Sequence, residues 1–158
     1  MKPKEIAQLT LSVLICQAVG FIGALSTFPN ITTWYATLNK PFFTPPSWVF
    51  GPVWIILYGL MGVSAYLIWS KGWKNGEIKE ALLLFGVQLL LNGLWTFLFF
   101  GLKLPLHALA EIMVLWFAIN ETIKKFRRIN KRAASLLLPY LVWTSFAVIL
   151  NLAVVVLN

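Results

Sequence analysis

Of 158 residues, 59% are apolar and only 11% carry a formal charge. Ordinary soluble domains run at about 45–50% apolar and about 25% charged, which excludes a water-soluble globule. The charge is lopsided, with 13 Lys and Arg against 5 Asp and Glu. In so apolar a chain a net +8 speaks for membrane orientation, and no nucleic-acid partner is expected.

Crossing about 30 Å of hydrocarbon takes roughly 20 apolar residues in a helix. The first candidate span lies near 6–28, where Ile6 to Asn39 carries no formal charge. Lys2 and Lys4 precede it as they would a signal peptide, but its apolar run exceeds the usual h-region of about 7–15 residues. No small-x-small cleavage site follows. The connection after it, 29–46, reads PNITTWYATLNKPFFTPP. Four prolines restrict its backbone, and Trp34, Tyr35, Phe42 and Phe43 call for burial, so it is expected to be an ordered lid across one end of the bundle. An interfacial aromatic belt is the other reading of those rings. Asn30-Ile31-Thr32 also fits a glycosylation sequon.

The second span is expected near 47–70, with Trp54 and Tyr58 spaced i, i+4 on one face. The third, near 81–102, places Gln88, Asn92 and Trp95 on one stripe, and its Gly86 and Gly93 allow close helix approach, between copies or within one. The fourth, near 105–123, carries His107, Glu111 and Glu121. A carboxylate inside a span is functional by default, so Glu111 is a candidate proton-coupled or ligand-contacting group. His107 as a haem ligand lacks a second ligand, and Glu121 beside Lys124 and Lys125 flanks the headgroups. The fifth span, near 133–157, contains Pro139, which removes the hydrogen bond to the Ser135 carbonyl and is expected to kink the helix one turn before Trp143. Trp69 and Trp73 read as belt residues, and Trp116 as packing or lipid-facing.

Together these make one all-α integral membrane domain over 1–158, a five-helix transmembrane bundle with a long ordered loop between helices 1 and 2. Helices are preferred to a barrel because the runs lack polar alternation. With five spans, Lys2, Lys4, Lys71, Lys74, Lys79, Lys124, Lys125, Arg127, Arg128, Lys131 and Arg132 share one side, and only Lys40 and Lys103 lie opposite. The positive-inside rule then puts the N-terminus inside and the C-terminus outside, in a multi-pass protein of a bacterial cell membrane. The basic 124–132 loop can also touch anionic headgroups.

At a rise of about 1.5 Å per residue, Trp54, Trp95, Glu111 and Asn151 all lie about 10 Å below the lid side, with Asn92 and Ala147 near 15 Å and Trp143 deeper. Polar groups at one depth, walled by aromatics, describe a site for a flat, mostly apolar molecule. Asn and Gln can equally act as interhelical glue. Cys16 is alone, and the chain has no nucleotide loop, no metal-ligand cluster and no nucleophile–base spacing. No cofactor, no metal and no conventional enzyme chemistry are therefore expected.

The stretch WYATLNKPFFTPPSWVFGPVW (Trp34 to Trp54), with QLLLNGLWTFLFFG (Gln88 to Gly101) and LPYLVWTSFAVILN (Leu138 to Asn151), resembles the TspO/MBR family. The resemblance runs over nearly the whole chain. It implies a five-helix membrane protein, often a homodimer, that binds porphyrins and other tetrapyrroles as well as isoquinoline-carboxamide and benzodiazepine ligands. It also implies transport or sensing of tetrapyrroles, and light-dependent breakdown of protoporphyrin IX. Carried over by motif, Trp54 and Trp143 match the tryptophans linked to that breakdown. Tyr35, Asn92, Trp95, Phe146, Ala147 and Leu150 match pocket positions; Gln88 joins them from its stripe. Porphyrin propionates would reach Lys40 or backbone donors in the lid. Two features depart from the pattern. The segment after Asn151 lacks the sterol-recognition motif of animal members, which puts sterol handling in doubt, and His107 stands where mammalian members have Trp.

Overall fold

The computed structural model describes residues 2–73 and 75–158; Lys74, one of the basic-side cations above, lies outside the described residues. Five helical spans are long and apolar enough to cross a membrane, and the described residues contain no strand. The protein is an all-α, multi-pass membrane protein.

Helix α1 (Pro3–Ile31) begins with a proline, whose missing N–H costs nothing at that position, and Glu5 Oε2 accepts from the Lys2 N–H at 2.9 Å. It runs past its expected end and holds Pro29 in its last turns, so Asn30 of the sequon is helical and its amide donates to the Ser26 carbonyl at 3.0 Å. The lid therefore starts later than expected and contains one short helix, α2 (Trp34–Thr37). Lys40 gathers the exposed carbonyls at the end of α2. Its ammonium donates to Tyr35 (2.8 Å), Ala36 (3.3 Å) and Leu38 (3.0 Å) and lies 5.0 Å from the Tyr35 ring centroid.

Helix α3 (Ser47–Trp69) descends to the basic side, and α4 (Gly76–Thr96) returns from an Asn75 cap whose side chain accepts from the Glu77 N–H at 2.9 Å. The span continues as a π-helical turn, Phe97–Gly101, closed by the Leu102 N–H on the Phe97 carbonyl at 2.8 Å. This widened turn carries Phe99 inward beneath the lid, where it is buried with Tyr35, Ala108 and Val154.

Helix α5 (Pro105–Ile129) is longer than expected at its basic end. Lys124, Lys125, Arg127 and Arg128 are helical rather than looped; the last two complement the negative end of the helix dipole. Asn130 then ends α5 and opens α6 (Lys131–Leu136), its side chain accepting from the Arg132 and Ala133 N–H groups at 3.0 and 3.4 Å. Glu80 pairs with Lys125, tying α4 to α5 at this surface. The fifth span is two helices, α6 and α7 (Leu138–Leu157), broken at Leu137 just before Pro139. Helix α3 packs along α6 but has little contact with α7. The proline break thus lets the last helix lean away from α3 on the lid side.

The two halves of the bundle differ accordingly. The basic-side half has a packed centre, with Met61, Ile68, Leu115 and Phe126 fully buried and Phe85 stacked on Phe126 at 5.8 Å, and a smaller, more open groove of about 270 Å³ beside Cys16, Phe85 and Gly86. Gly62 lets α1 and α3 meet backbone to backbone there, since a Cβ would stand 2.5 Å from Val13 Cα. Gly93 packs on Val19 within the chain, whereas a Cβ at Gly86 would meet nothing within 4 Å. The lid-side half is hollow.

Candidate functional site

The hollow is a cavity of about 600 Å³, within the range of roughly 300–1,000 Å³ typical of small-molecule sites. Its walls are overwhelmingly apolar, and tryptophans stand on three of them. Trp54 projects from α3 and lies at 5.4 Å and 31° to Tyr58, with Tyr140 edge-on at 6.3 Å. Trp143, one turn beyond Pro139, packs against Phe146 at 5.6 Å and Phe50 at 5.9 Å. Trp95 stacks on Phe99 at 5.4 Å and 26°. Such rings offer large flat contact areas, and their offset and edge-on pairs hold one another in place.

The polar groups around the cavity are mostly consumed in holding its walls. Trp95 Nε1 donates to Asn151 Oδ1 at 3.1 Å, and Asn151 Nδ2 donates to the Pro105 carbonyl at 2.8 Å, so α4, α7 and the start of α5 are laced together. The Tyr58 hydroxyl donates to Asn92 Oδ1, and Asn92 Nδ2 donates to the Tyr140 hydroxyl at 3.1 Å. Interhelical bonds of this kind average about 0.6 kcal/mol each in a membrane, so their larger effect is to fix ring orientation.

Tyr35, Trp54, Trp95, Trp143, Phe146, Ala147 and Leu150 all line the cavity. Asn92 and Gln88 do not. Asn92 is buried behind Tyr58, and Gln88, one turn deeper, is buried with neither amide atom hydrogen-bonded. Their stripe does face the bundle centre, but Tyr58 stands between Asn92 and the cavity, and Asn92 is bonded to the Tyr58 and Tyr140 hydroxyls. Glu111 is also off the wall; both carboxyl oxygens are buried without a hydrogen-bond partner, and His107, exposed one turn away, makes no bond to them. Trp116 packs between helices, donating to Ser145 Oγ at 2.7 Å.

The lid expectation for Lys40 also changes. Its ammonium is committed to three lid carbonyls, so it is a fastener of the lid rather than a free cation for a ligand acid. Burial raises the Tyr35 phenol above its ordinary range, so that hydroxyl stays neutral at physiological pH. Among the described residues, no three His, Cys, Asp or Glu side chains converge as a metal site.

The wall contributed by α1 carries no chemical signature in the sequence. Gly20, Gly23, Ala24, Thr27 and Ile31 line the cavity at helical spacing, and only their small size could have signalled a surface that something packs against. Phe99 and Phe100 join through the π-helical turn, a feature without a sequence cue.

Fold and cavity define a polytopic membrane protein that encloses a tryptophan-walled chamber in one half of its bundle. Residues 12–157 match the model of the TspO/MBR family, and the chain belongs to that family. It is 43% identical over 155 residues to the tryptophan-rich protein TspO of Chlorobaculum tepidum, covering 98% of both chains. It is 46% identical over 155 residues to the protein of that name from Archaeoglobus fulgidus, covering 98% of this chain and 99% of the relative. The human translocator protein is 36% identical over 137 residues, covering 85% of this chain and 80% of the relative.

Proposed function

We propose that this protein binds a tetrapyrrole of the protoporphyrin IX type in the cavity and promotes its light-dependent oxidative breakdown. The observation that carries the reading is the set of four indoles, Trp48, Trp54, Trp95 and Trp143, around one apolar chamber of about 600 Å³. A flat macrocycle loses apolar surface to water-free contact on both faces there, and ring stacking adds to that burial. With Lys40 spent on the lid, the acidic edge of the ligand reaches donors at the lid rim instead. The chemistry needs light, the bound pigment and dioxygen dissolved in the bilayer. The excited macrocycle takes one electron from an indole, leaving an indole radical cation and a porphyrin radical anion. Dioxygen adds to a ring carbon of the radical anion, and the adduct returns one electron to the indole radical cation. The neutral peroxide that results opens the macrocycle by O–O and C–C cleavage with both oxygens retained. Isoquinoline-carboxamide and benzodiazepine compounds, also flat and apolar, compete for the same space.

Titration of the protein in lipid nanodiscs with protoporphyrin IX in the dark tests the binding step. Saturable quenching of indole fluorescence, reversed by an isoquinoline carboxamide, is the expected result; quenching that rises linearly with pigment and never saturates would remove the reading. The orientation proposed for this site puts the lid outside and the basic termini of the spans inside, following the charge asymmetry. Reporter fusions at the two termini check it, and a cytoplasmic signal from the C-terminal fusion contradicts it.

A further inference from the structure

We infer that ligands reach the cavity sideways, from the lid-side half of the bilayer, through a seam between α1 and α3 rather than through the lid. This inference rests on the ligand-binding reading above. Residues that line a cavity and are also exposed mark its mouth, and here they fall on two facing helices. Phe21 and Phe28 of α1 are 66% and 69% exposed, Trp48 and Ile55 of α3 are 75% and 62% exposed, and all four line the cavity. Gly51, also exposed and lining, sits between Trp48 and Ile55 on α3, and a Cβ there would meet nothing within 4 Å. The opposite wall is closed, with Tyr35, Phe99, Leu150 and Val154 all buried.

The seam has a defined lower lip. Gln17 Nε2 donates to the Ile55 carbonyl at 2.9 Å, at about the depth where Gly20 receives the Tyr58 ring, and one turn of α1 nearer the basic side Gly62 receives Val13. Phe21 lies ten residues before the end of α1, about 15 Å down, so the mouth spans the upper half of the membrane. Its rim is apolar, as a surface facing acyl chains must be.

The lid, by contrast, is fastened. Asn39 and Asn158 exchange a pair of bonds, Asn39 N–H to Asn158 Oδ1 at 2.9 Å and Asn158 Nδ2 to the Asn39 carbonyl at 3.0 Å. Asn39 Nδ2 adds a bond to the Leu157 carbonyl at 3.2 Å. These join the lid to the end of α7, and Lys40 stiffens it from within. Lifting the lid breaks the three bonds between Asn39 and the end of α7, whereas the rim of the seam is made of the exposed side chains of Phe21, Phe28, Trp48 and Ile55. A molecule apolar enough for this cavity also concentrates in the bilayer, where the mouth opens.

The test is stopped-flow protoporphyrin IX binding in nanodiscs, with pigment delivered from lipid vesicles. Gly51→Phe places a ring at the open mouth, where its Cβ meets no protein atom within 4 Å. It is expected to slow association and dissociation together, each by at least about tenfold, because a gate changes both rates. The double variant Asn39→Ala, Asn158→Ala unfastens the lid and is expected to leave the association rate at the native value. The seam is overturned if Gly51→Phe binds at native rates, if it changes Kd through dissociation alone, or if the unfastened lid speeds association. A native protein that shows no saturable binding removes the functional reading itself, and the seam with it, whereas native binding with any of the other results removes the seam alone.

Discussion

Replacing Trp54 and Trp143 together by Phe is expected to slow light-driven loss of bound protoporphyrin IX by at least about tenfold, a barrier increase of about 1.4 kcal/mol or more. Phe retains a flat apolar ring at both positions, so the contacts of Trp143 with Phe146 and Phe50, and of Trp54 with Tyr58, are largely kept. What is lost is the indole, the most readily ionised of these aromatic systems. Binding in the dark should therefore fall far less than the photochemical rate. Trp95 stays in place in this variant, and its Nε1 is held by Asn151, so it serves as an internal reporter that the chamber is still formed. The readout is Soret absorbance under illumination at matched pigment occupancy. A double variant that binds pigment and bleaches it at the native rate would falsify the electron-donor role while leaving the binding site untouched.

The five spans were legible in the sequence because the bilayer imposes a length and a polarity that few other settings require. Their ends were less so. The basic segment after 123 reads as a loop by charge, yet α5 continues to Ile129, because a helix can leave the hydrocarbon and run on where basic residues in its last turn complement the dipole. Pro139 was read correctly as a disturbance of the fifth span. Its larger consequence, the separation of α7 from α3 that opens the cavity, depends on packing that no local pattern encodes.

The candidate site shows the same division between direction and depth. Helical spacing places Gln88, Asn92 and Trp95 on an inward face, and all three do point into the bundle. Only Trp95 lies high enough to meet the cavity, because the Tyr58 side chain from α3 lines it where Asn92 would otherwise be reached. The contribution of α1 was invisible for another reason: glycine and alanine mark a wall by what they lack. Of the lid rings expected to be buried only Tyr35 is, Trp34 being half-buried and Phe42 and Phe43 exposed, and the use made of Lys40 depends on three carbonyls that converge only once α2 has formed.

Gly62→Ala is expected to destabilise the fold by about 1–3 kcal/mol, the usual cost of forcing an extra group into a packed interior. The added Cβ would stand 2.5 Å from Val13 Cα and 2.9 Å from Val13 N, and these are backbone atoms that no rotamer change can move. The whole of α1 must shift, and α1 against α3 is the most extensive helix contact in the molecule. Gly86→Ala is the matched control. It places the same methyl on a span of similar apolarity, with nothing within 4 Å, and the gain in helix propensity makes a neutral or slightly stabilising effect the expected sign. Thermal unfolding in detergent micelles compares the two. The functional consequence follows from position: Gly62 lies below Gly20 and Gln17 on the same seam, so displacing α1 there widens the mouth higher up. Ligand dissociation from Gly62→Ala should be faster than native at temperatures where the protein remains folded. Equal melting of the two alanine variants would mean that α1 and α3 do not approach as closely as the backbone contact at Val13 requires.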